Sequence, residues 1–313
     1  MRVLELWRYP VKSMAGERVE STSIDERGLH GDRLWALRDE HRGEITSAKR
    51  HPALLQCSAR FVAQPAADVG PGSIPDVAIT FPDGSTVRSD ALDVNDRLSA
   101  FLGKRVTLHA LRPASDKAHY KVVKPTADDM RAAFAIDPGE PLPDFSMMPM
   151  AKLLELGKYA TPPGTYFDAM TLHVVTTASL DALRAKGSSD FDVRRFRPNV
   201  VIEGAPPGFP EAEWTGDTLT IGTCASFVDC PTPRCSMPTR AQEKLPADPK
   251  VLKTIVIEAE RCVGAYTTVT RAGAVRVGDE VRLDATDSSR LGDWARARAT
   301  GLKRLLIRAA MPK

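Results

Sequence analysis

Two of the five cysteines in this 313-residue chain fall in one proline-rich stretch, FVDCPTPRCSMPT, residues 227–239. Three prolines in so short a span argue against a helix or a central strand, and a loop is expected. A thiol in such a loop is open to several chemistries: packing, a disulfide, zinc ligation, nucleophilic attack, or ligation of a metal softer than zinc. Cys224, Cys230 and Cys235 are separated by five and then four residues, without the close C-x-x-C pair of structural zinc or thioredoxin chemistry. No histidine follows His173, so zinc would have to recruit distant ligands. Arg234 sets a cation beside the Cys235 sulfur, the setting of a functional cysteine, but inert and functional readings both stay open. Cys57, Cys224 and Cys262 read as buried, inert thiols.

Two further groups carry chemistry. YPVKS (residues 9–13) and GLHGDR (residues 28–33) place Lys12, Ser13 and Arg33 near strand ends. An ammonium, a hydroxyl and a guanidinium suit a phosphate, which arginine binds bidentately and lysine as a point charge. The alternative is a solvated lysine, with an arginine paired to Asp32 or Asp39. In RRFRPNVVIEG (residues 194–204), Arg197 and Asn199 flank a proline at the mouth of a strand. Fixed guanidinium donors beside an amide that donates and accepts fit a polar heterocycle; the alternative is a surface arginine and a turn asparagine.

The elements that must position these residues are mostly extended. RVLELWRYPV alternates apolar and polar residues, DRLWALRDE reads as a second strand and EITSA as a third, with Gly16, Gly28, Gly31 and Gly43 marking turns. VAITFPDGSTVRSD reads as a hairpin about Asp83-Gly84, and DVNDRLSAFLG as a helix stopped at Gly103. From about Ser115 to Pro163 the periodicity is weak and Pro and Met are frequent, as in a connector or wrapped loop. MTLHVVTT then reads as a strand and TASLDALRAKG as a helix. RPNVVIEG, DTLTIG, ASFVDC, KTIVIEAE, GAYTTVTRAG and DEVRLD read as strands, a density that suggests a closed barrel or a sandwich. RLGDWARARATGLKRLLIRAAM has helical periodicity with a basic face.

Composition narrows the class. Hydrophobic residues at 42% and charged residues at 27% are ordinary for a soluble globular chain. A net charge of +3, spread without long runs, argues against a sequence-nonspecific nucleic-acid binder and leaves small anions as ligands. No apolar run approaches a membrane span, and the first residues lack a signal peptide's apolar core. An odd cysteine count without a secretory signal points to a reducing compartment, so a cytoplasmic protein is expected, with no nucleic-acid or membrane partner.

The motifs and their order resemble those of the MOSC family, named for the C-terminal domain of molybdenum cofactor sulfurases. YPVKSMAGERVE and GLHGDRLWAL resemble the β-barrel domain that precedes MOSC in many members. GTYFDAMTLHVVTTASLDAL, RFRPNVVIEG, DCPTPRCSMPT and CVGAYTTVTRAGAVRVGDEV resemble successive MOSC segments. Within the family the chain resembles the subgroup that contains the mitochondrial amidoxime reducing component and its bacterial relatives. The resemblance implies a mainly β (α+β) fold with few helices. An N-terminal β-barrel-like domain over residues 1–115, a connector over 116–163, a MOSC β-barrel over 164–285 and a C-terminal helix over 286–313 would make up the chain. It implies a molybdenum cofactor (molybdopterin with Mo), with Cys235 as catalytic residue and metal ligand. A soft thiolate complements the two dithiolene sulfurs of such a cofactor. Lys12, Ser13 and Arg33 match residues that hold its phosphate, Asp168 a carboxylate near the pterin, and Arg197 and Asn199 further cofactor contacts. Cys230 lies farther from Cys235 than the Cys-x-Arg-Cys pair of many relatives and is read as structural.

The implied activity is reduction of N-hydroxylated compounds: hydroxylamines, amidoximes or N-hydroxylated bases. Electrons would come from a separate protein of flavin, iron–sulfur or haem type, since the cysteines are too few and wrongly spaced for a four-cysteine cluster. The chain departs from many amidoxime-reducing members after the cysteine, where SMPTRAQEKLPADP replaces their Asp-Pro-x-Thr-Gly turn; that loop is expected to border the substrate. A cofactor carrier, or a sulfur carrier using a Cys235 persulfide, is the alternative that uses the same contacts without turnover.

Overall fold

The computed structural model describes residues 1–137, 140 and 142–285; the helix expected over 286–313 lies outside the described residues. In chain order the first part forms β1 (Arg2–Arg8), β2 (Glu17–Val19), β3 (Ser21–Asp25), β4 (Gly28–Leu29), β5 (Trp35–Asp39), β6 (Glu44–Ile45), β7 (Ser58–Phe61), β8 (Val77–Thr80) and β9 (Thr86–Arg88). Helix α1 (Val94–Leu102) and strand β10 (Val106–Ala110) follow. The hairpin about Gly84 is the ladder of β8 and β9. Gly103 ends α1 in the left-handed conformation, at φ 61°, which costs a residue without a Cβ little.

Residues expected as a connector form three short helices, α2 (Lys117–Tyr120), α3 (Ala127–Phe134) and α4 (Met150–Leu156). Their sequences give little periodicity because none has more than eight residues, little over two turns. A capping box between Thr126 and Asp129 starts α3. Beyond them come β11 (Leu172–Thr176), α5 (Thr177–Lys186), β12 (Val200–Glu203), β13 (Thr218–Ile221), β14 (Cys224–Pro233), α6 (Lys250–Glu258), β15 (Cys262–Arg271), β16 (Gly273–Arg276) and β17 (Val281–Asp284).

Three expectations change here. The segment KTIVIEAE is not a strand but lies in α6. Val251, Leu252 and Ile255 are buried while Val256 and Ile257 are exposed, so its apolar run is used at helical spacing and not on two faces of a sheet. The expected loop over 227–239 begins only after Pro233. Beyond Phe227 no β13 ladder residue faces β14, whose Cys230, Pro231 and Pro233 pair only with β15. The missing proline N–H groups therefore interrupt no second ladder. The sheet is also not a closed barrel among the described residues. Its order is β17-β13-β14-β15-β11-β12-β1-β2. β1 meets the start of β17 without a ladder, through the isolated Arg2–Glu280 bridge and backbone hydrogen bonds from Val3 N–H to the Asp279 carbonyl at 2.9 Å, Gly278 N–H to the Val3 carbonyl at 2.8 Å and Val281 N–H to the Met1 carbonyl at 2.9 Å.

The fold is mainly β, and its two halves share strands. β1 and β2 belong to the same eight-stranded sheet as the strands after residue 170, and β16 pairs with β3. One buried core lies within the first 111 residues, joined by Tyr120, Tyr166 and Met237. A second joins Val3, Leu6, Ile24 and Leu29 to the later strands. The residues following β1 are thereby held against those preceding β12, where the site forms. No helix of the described residues is long and apolar enough to cross a membrane.

Close packing of β15 on β11 gives the first test. Gly264 sits at φ +85°, and a Cβ there would lie 2.5 Å from His173 Nε2 and 2.6 Å from the Val174 carbonyl oxygen. Gly264→Ala is expected to lose about 1–3 kcal/mol from the dihedral alone, with the clash adding to it, read as a lowered urea midpoint at unchanged slope.

Candidate functional site

The residues singled out in the sequence converge from five places in the chain. Lys12 and Ser13 follow β1, Arg33 precedes β5, Asp168 precedes β11, Arg197 and Asn199 precede β12, and Cys235 follows β14. All seven line one cavity of about 390 Å³. Three of them, Ser13 (φ 70°), Arg33 (φ 51°) and Arg197 (φ 55°), adopt the left-handed backbone region. Outside glycine that region is sparsely used and costs of order 1 kcal/mol or more, a strain that collects at functional sites.

A carboxylate that the sequence offered only as a partner for Arg33 ties this part of the site together. Asp32, whose side chain is fully buried, forms an ion pair with Arg33. It also accepts hydrogen bonds from the Tyr9 backbone N–H at 2.7 Å and from Asn199 Nδ2 at 2.9 Å. Two guanidiniums lie over the Tyr9 ring, Arg197 at 4.2 Å and Arg33 at 5.0 Å from its centroid. Phe167 offers a second ring to Arg33 at 5.1 Å. Arg33 is thus both paired to Asp32 and on the cavity wall.

Lys12 is buried, not solvated. Its Nζ donates to the Tyr166 carbonyl at 2.9 Å and pairs with Asp168. Asp168 is bracketed from its other oxygen by Lys49 at 3.0 Å. Burial lowers the Lys12 pKa to about 8, with Asp168 opposing the shift. Burial alone would raise the Asp168 pKa, but Lys12 and Lys49 outweigh it and hold the carboxyl well below its usual range. Burial brings Arg197 down to about 10. It keeps the His173 imidazole neutral, well below its usual pKa, with Arg234 adding to the effect.

Five cations therefore line the cavity, namely Lys12, Arg33, Lys49, Arg197 and Arg234, against one lining carboxylate, Asp168. Arg197 donates to the Met14 carbonyl and Arg234 to the Phe196 carbonyl at 2.9 Å. Arg197 Nη2 and Arg234 Nε are buried without a hydrogen-bond partner among the described residues. Buried donors of positive charge left over after internal pairing are the chemistry of an anion site. Lys49 and Arg234 were not singled out as ligands from sequence. Lys49 reads there as an ordinary charge after a short strand, and only the fold turns it toward Asp168.

Of the five cysteines, Cys235 alone lines this cavity. Cys57, Cys224 and Cys230 are buried, and Cys262 is partly exposed. Burial raises the Cys57 pKa to about 12 and those of Cys224 and Cys262 to about 11. Among the described residues no group of three or more His, Cys, Asp or Glu gathers as a metal site. One protein sulfur with a cationic surround suits a metal whose other ligands arrive on an anionic organic carrier. The connector contributes apolar lining through Val122, Met130, Phe134, Phe145, Leu153 and Leu156.

Two family descriptions match the chain in this order. The MOSC N-terminal beta barrel domain matches residues 1–105 and the MOSC domain residues 163–282. The chain belongs to the MOSC family. Mitochondrial amidoxime reducing component 2 of Rattus norvegicus is 25% identical over 297 residues, covering 89% of this chain and 82% of the relative. The Bos taurus protein of the same name is 23% identical over 305 residues, covering 89% and 82%. Molybdenum cofactor sulfurase of Drosophila mojavensis is 25% identical over 269 residues, which span 81% of this MOSC chain but 30% of the sulfurase.

The Lys12–Asp168–Lys49 cluster supplies a pH test. Asp168→Asn leaves two ammoniums facing each other and is expected to destabilise the MOSC chain at pH 7 by about 2–4 kcal/mol, somewhat below the range for a fully buried pair. The folded state releases the Lys12 proton near 8 and the unfolded state near 10.5, so stability rises with pH between those values. Losing Asp168 lowers Lys12 further in the mutant, so the Lys12 share of its loss is largest at the acid end of the range and should disappear as pH rises through about 8. Denaturant titrations of both proteins from pH 6 to 10 measure it.

Proposed function

We propose that this chain is a molybdenum-cofactor-dependent oxidoreductase that reduces N-hydroxylated compounds, with electrons delivered by a separate protein. The observation that carries the reading is that Cys235, alone among the cysteines, lines the cavity where the unpaired cationic donors gather. When bound, the cofactor would supply two-electron metal redox chemistry at an oxygen atom. Every other task falls to side chains of this chain.

Cys235 offers a soft sulfur ligand to the metal. Lys12, Ser13 and Arg33 hold the phosphate. Ser13 Oγ accepts from the Ala48 N–H at 2.9 Å, which leaves its own O–H to donate to a phosphate oxygen. Lys12 has one N–H left after Tyr166 and Asp168 are served. Arg197 presents its unpartnered Nη2, and Asn199 is held in place by Asp32. Each Asp168 oxygen meets one ammonium and keeps a lone pair to accept from a ring amino group. In this reading the phosphate-holding residues come from the first part of the chain, and the sulfur and heterocycle contacts from the last. The location this reading favours is the cytoplasm.

Expression in a cofactor-producing host supplied with molybdate should give near one molybdenum per chain by elemental mass spectrometry. Cys235→Ser should stay folded and lose reduction of benzamidoxime or hydroxylamine in a reductase mixture. A folded, metal-free wild-type protein carrying labile sulfur on Cys235 would instead favour the sulfur carrier.

Arg197→Gln separates ligand binding from stability. It removes a buried cation that has no carboxylate partner among the described residues, so the ligand-free protein should keep or gain thermal stability. Cofactor retention should fall, because a hydrogen bond to a charged group contributes about 1.5–3 kcal/mol, or roughly 10- to 150-fold in affinity. Unfolding temperature and metal content after gel filtration report the two effects.

A further inference from the structure

The segment carrying Cys235 is tied to the C-terminal end of a helix of the connector, and that helix is anchored again at its N-terminal end. Helix α3 leaves four carbonyls without partners inside the helix, as every helix end does. Ile136 N–H takes the Arg131 carbonyl at 3.0 Å and Ala135 N–H the Ala132 carbonyl at 3.4 Å, across a left-handed cap at Ala135 (φ 48°). The other two point outward. The Ala133 carbonyl accepts from Ser236 N–H at 2.9 Å, one residue past Cys235. The Phe134 carbonyl accepts from Arg261 Nη1 at 2.8 Å. Arg261 also receives Arg234 N–H on its own carbonyl at 2.8 Å, so both neighbours of Cys235 are held through this junction. A cation at a helix C-terminus is favoured by the helix dipole as well.

The other end of α3 rests on the first half of the chain. Asp129 pairs with Arg50 at 3.1 Å and Arg42 at 3.6 Å, and Val123 N–H donates to the nearly buried Glu44 at 2.7 Å. Between its two anchors α3 turns Met130 and Phe134 into the cavity, with Phe134 packed edge-on against Phe145 at 5.1 Å.

We propose that α3 is a clamp on Cys235. Asp129 is its latch, and releasing it frees the Ser236 and Arg261 contacts together, loosening the thiol and opening the cavity wall. Asp129 acts as a positioning residue, through the helix and not by touching a ligand. The latch ion pairs are only partly buried, so salt weakens them and the clamp's hold depends on ionic strength.

The test is the rate of Cys235 alkylation by iodoacetamide in the metal-free full chain, followed by peptide mass spectrometry, with the buried Cys57 and Cys224, which take no part in the α3 junction, as internal controls. Asp129→Asn keeps a side-chain oxygen for the Thr126 cap but loses the charge. It should speed Cys235 alkylation by about twofold to thirtyfold, the span expected for losing two partly exposed ion pairs, and leave Cys57 and Cys224 unchanged. Asp129→Glu, which restores the charge and suits the capping box, should return the rate to that of the wild type. Raising sodium chloride from 0.05 M to 0.5 M should speed the wild type and have little effect on Asp129→Asn. Unchanged Cys235 rates in the variant and in salt would overturn the clamp. So would acceleration of all five cysteines together, which reports general loosening. Because the protein is metal-free, the outcome is independent of the proposed reductase activity.

Discussion

The constraint on which the structure turns is the gathering of like charge in a cavity. Five cations share its wall, and two carboxylates, Asp32 behind it and Asp168 within it, cannot neutralise them all. A buried charge without a partner is costly, and the fold offsets that cost by several means. Guanidiniums lie on the faces of Tyr9, Phe167 and Phe196, where the ring quadrupole attracts them. Arg197, Arg234 and Lys12 also donate to main-chain carbonyls. Ser13, Arg33 and Arg197 accept unfavourable backbone dihedrals to hold these positions. The donors still unsatisfied, on Arg197 and Arg234, are what remains available to a ligand.

That concentration of charge needs residues nearly two hundred positions apart to meet, and shared strands bring them together. Leu6 lies opposite Val200 in the ladder of β1 and β12. Just beyond it the Tyr9 hydroxyl donates to the Pro198 carbonyl at 3.0 Å, and Arg197 reaches the Met14 carbonyl. The site sits where the two halves exchange strands, so neither half alone supplies its residues.

What the sequence made legible follows from the range of the interactions involved. The hairpin at Gly84 and the helix ending at Gly103 depend on neighbours a few residues away, and both form where local pattern places them. The seven candidate residues lie in short motifs, and the structure gathers all of them. Missing from that reading were the parts decided by distant partners. An apolar run became α6 because other elements cover one side of it, and the proline-rich stretch stayed in β14 because no second ladder needed its N–H groups. Lys49 looked like any surface lysine until the fold set it 3.0 Å from Asp168. Asp32 looked like a local ion-pair partner, yet it also orients an asparagine from the other half of the chain.

The two walls around Cys235 differ in stiffness for reasons visible in their contacts. The loop that follows the cysteine is held by Arg195, whose fully buried guanidinium donates to the carbonyls of Asp190 at 2.8 Å, Pro238 at 3.1 Å and Pro246 at 2.9 Å. Pulling that loop away would strand a buried cation, a loss on the order of several kcal/mol. The connector wall is held near Asp129 by ion pairs that solvent reaches, each contributing roughly 0.2–1 kcal/mol, and by two helix-end carbonyls. Strain applied to the cavity by an entering ligand should therefore be relieved at α3 before the loop held by Arg195 gives way. The polar wall can keep a fixed geometry for an anionic group while the apolar wall yields to the shape of whatever is brought to the sulfur.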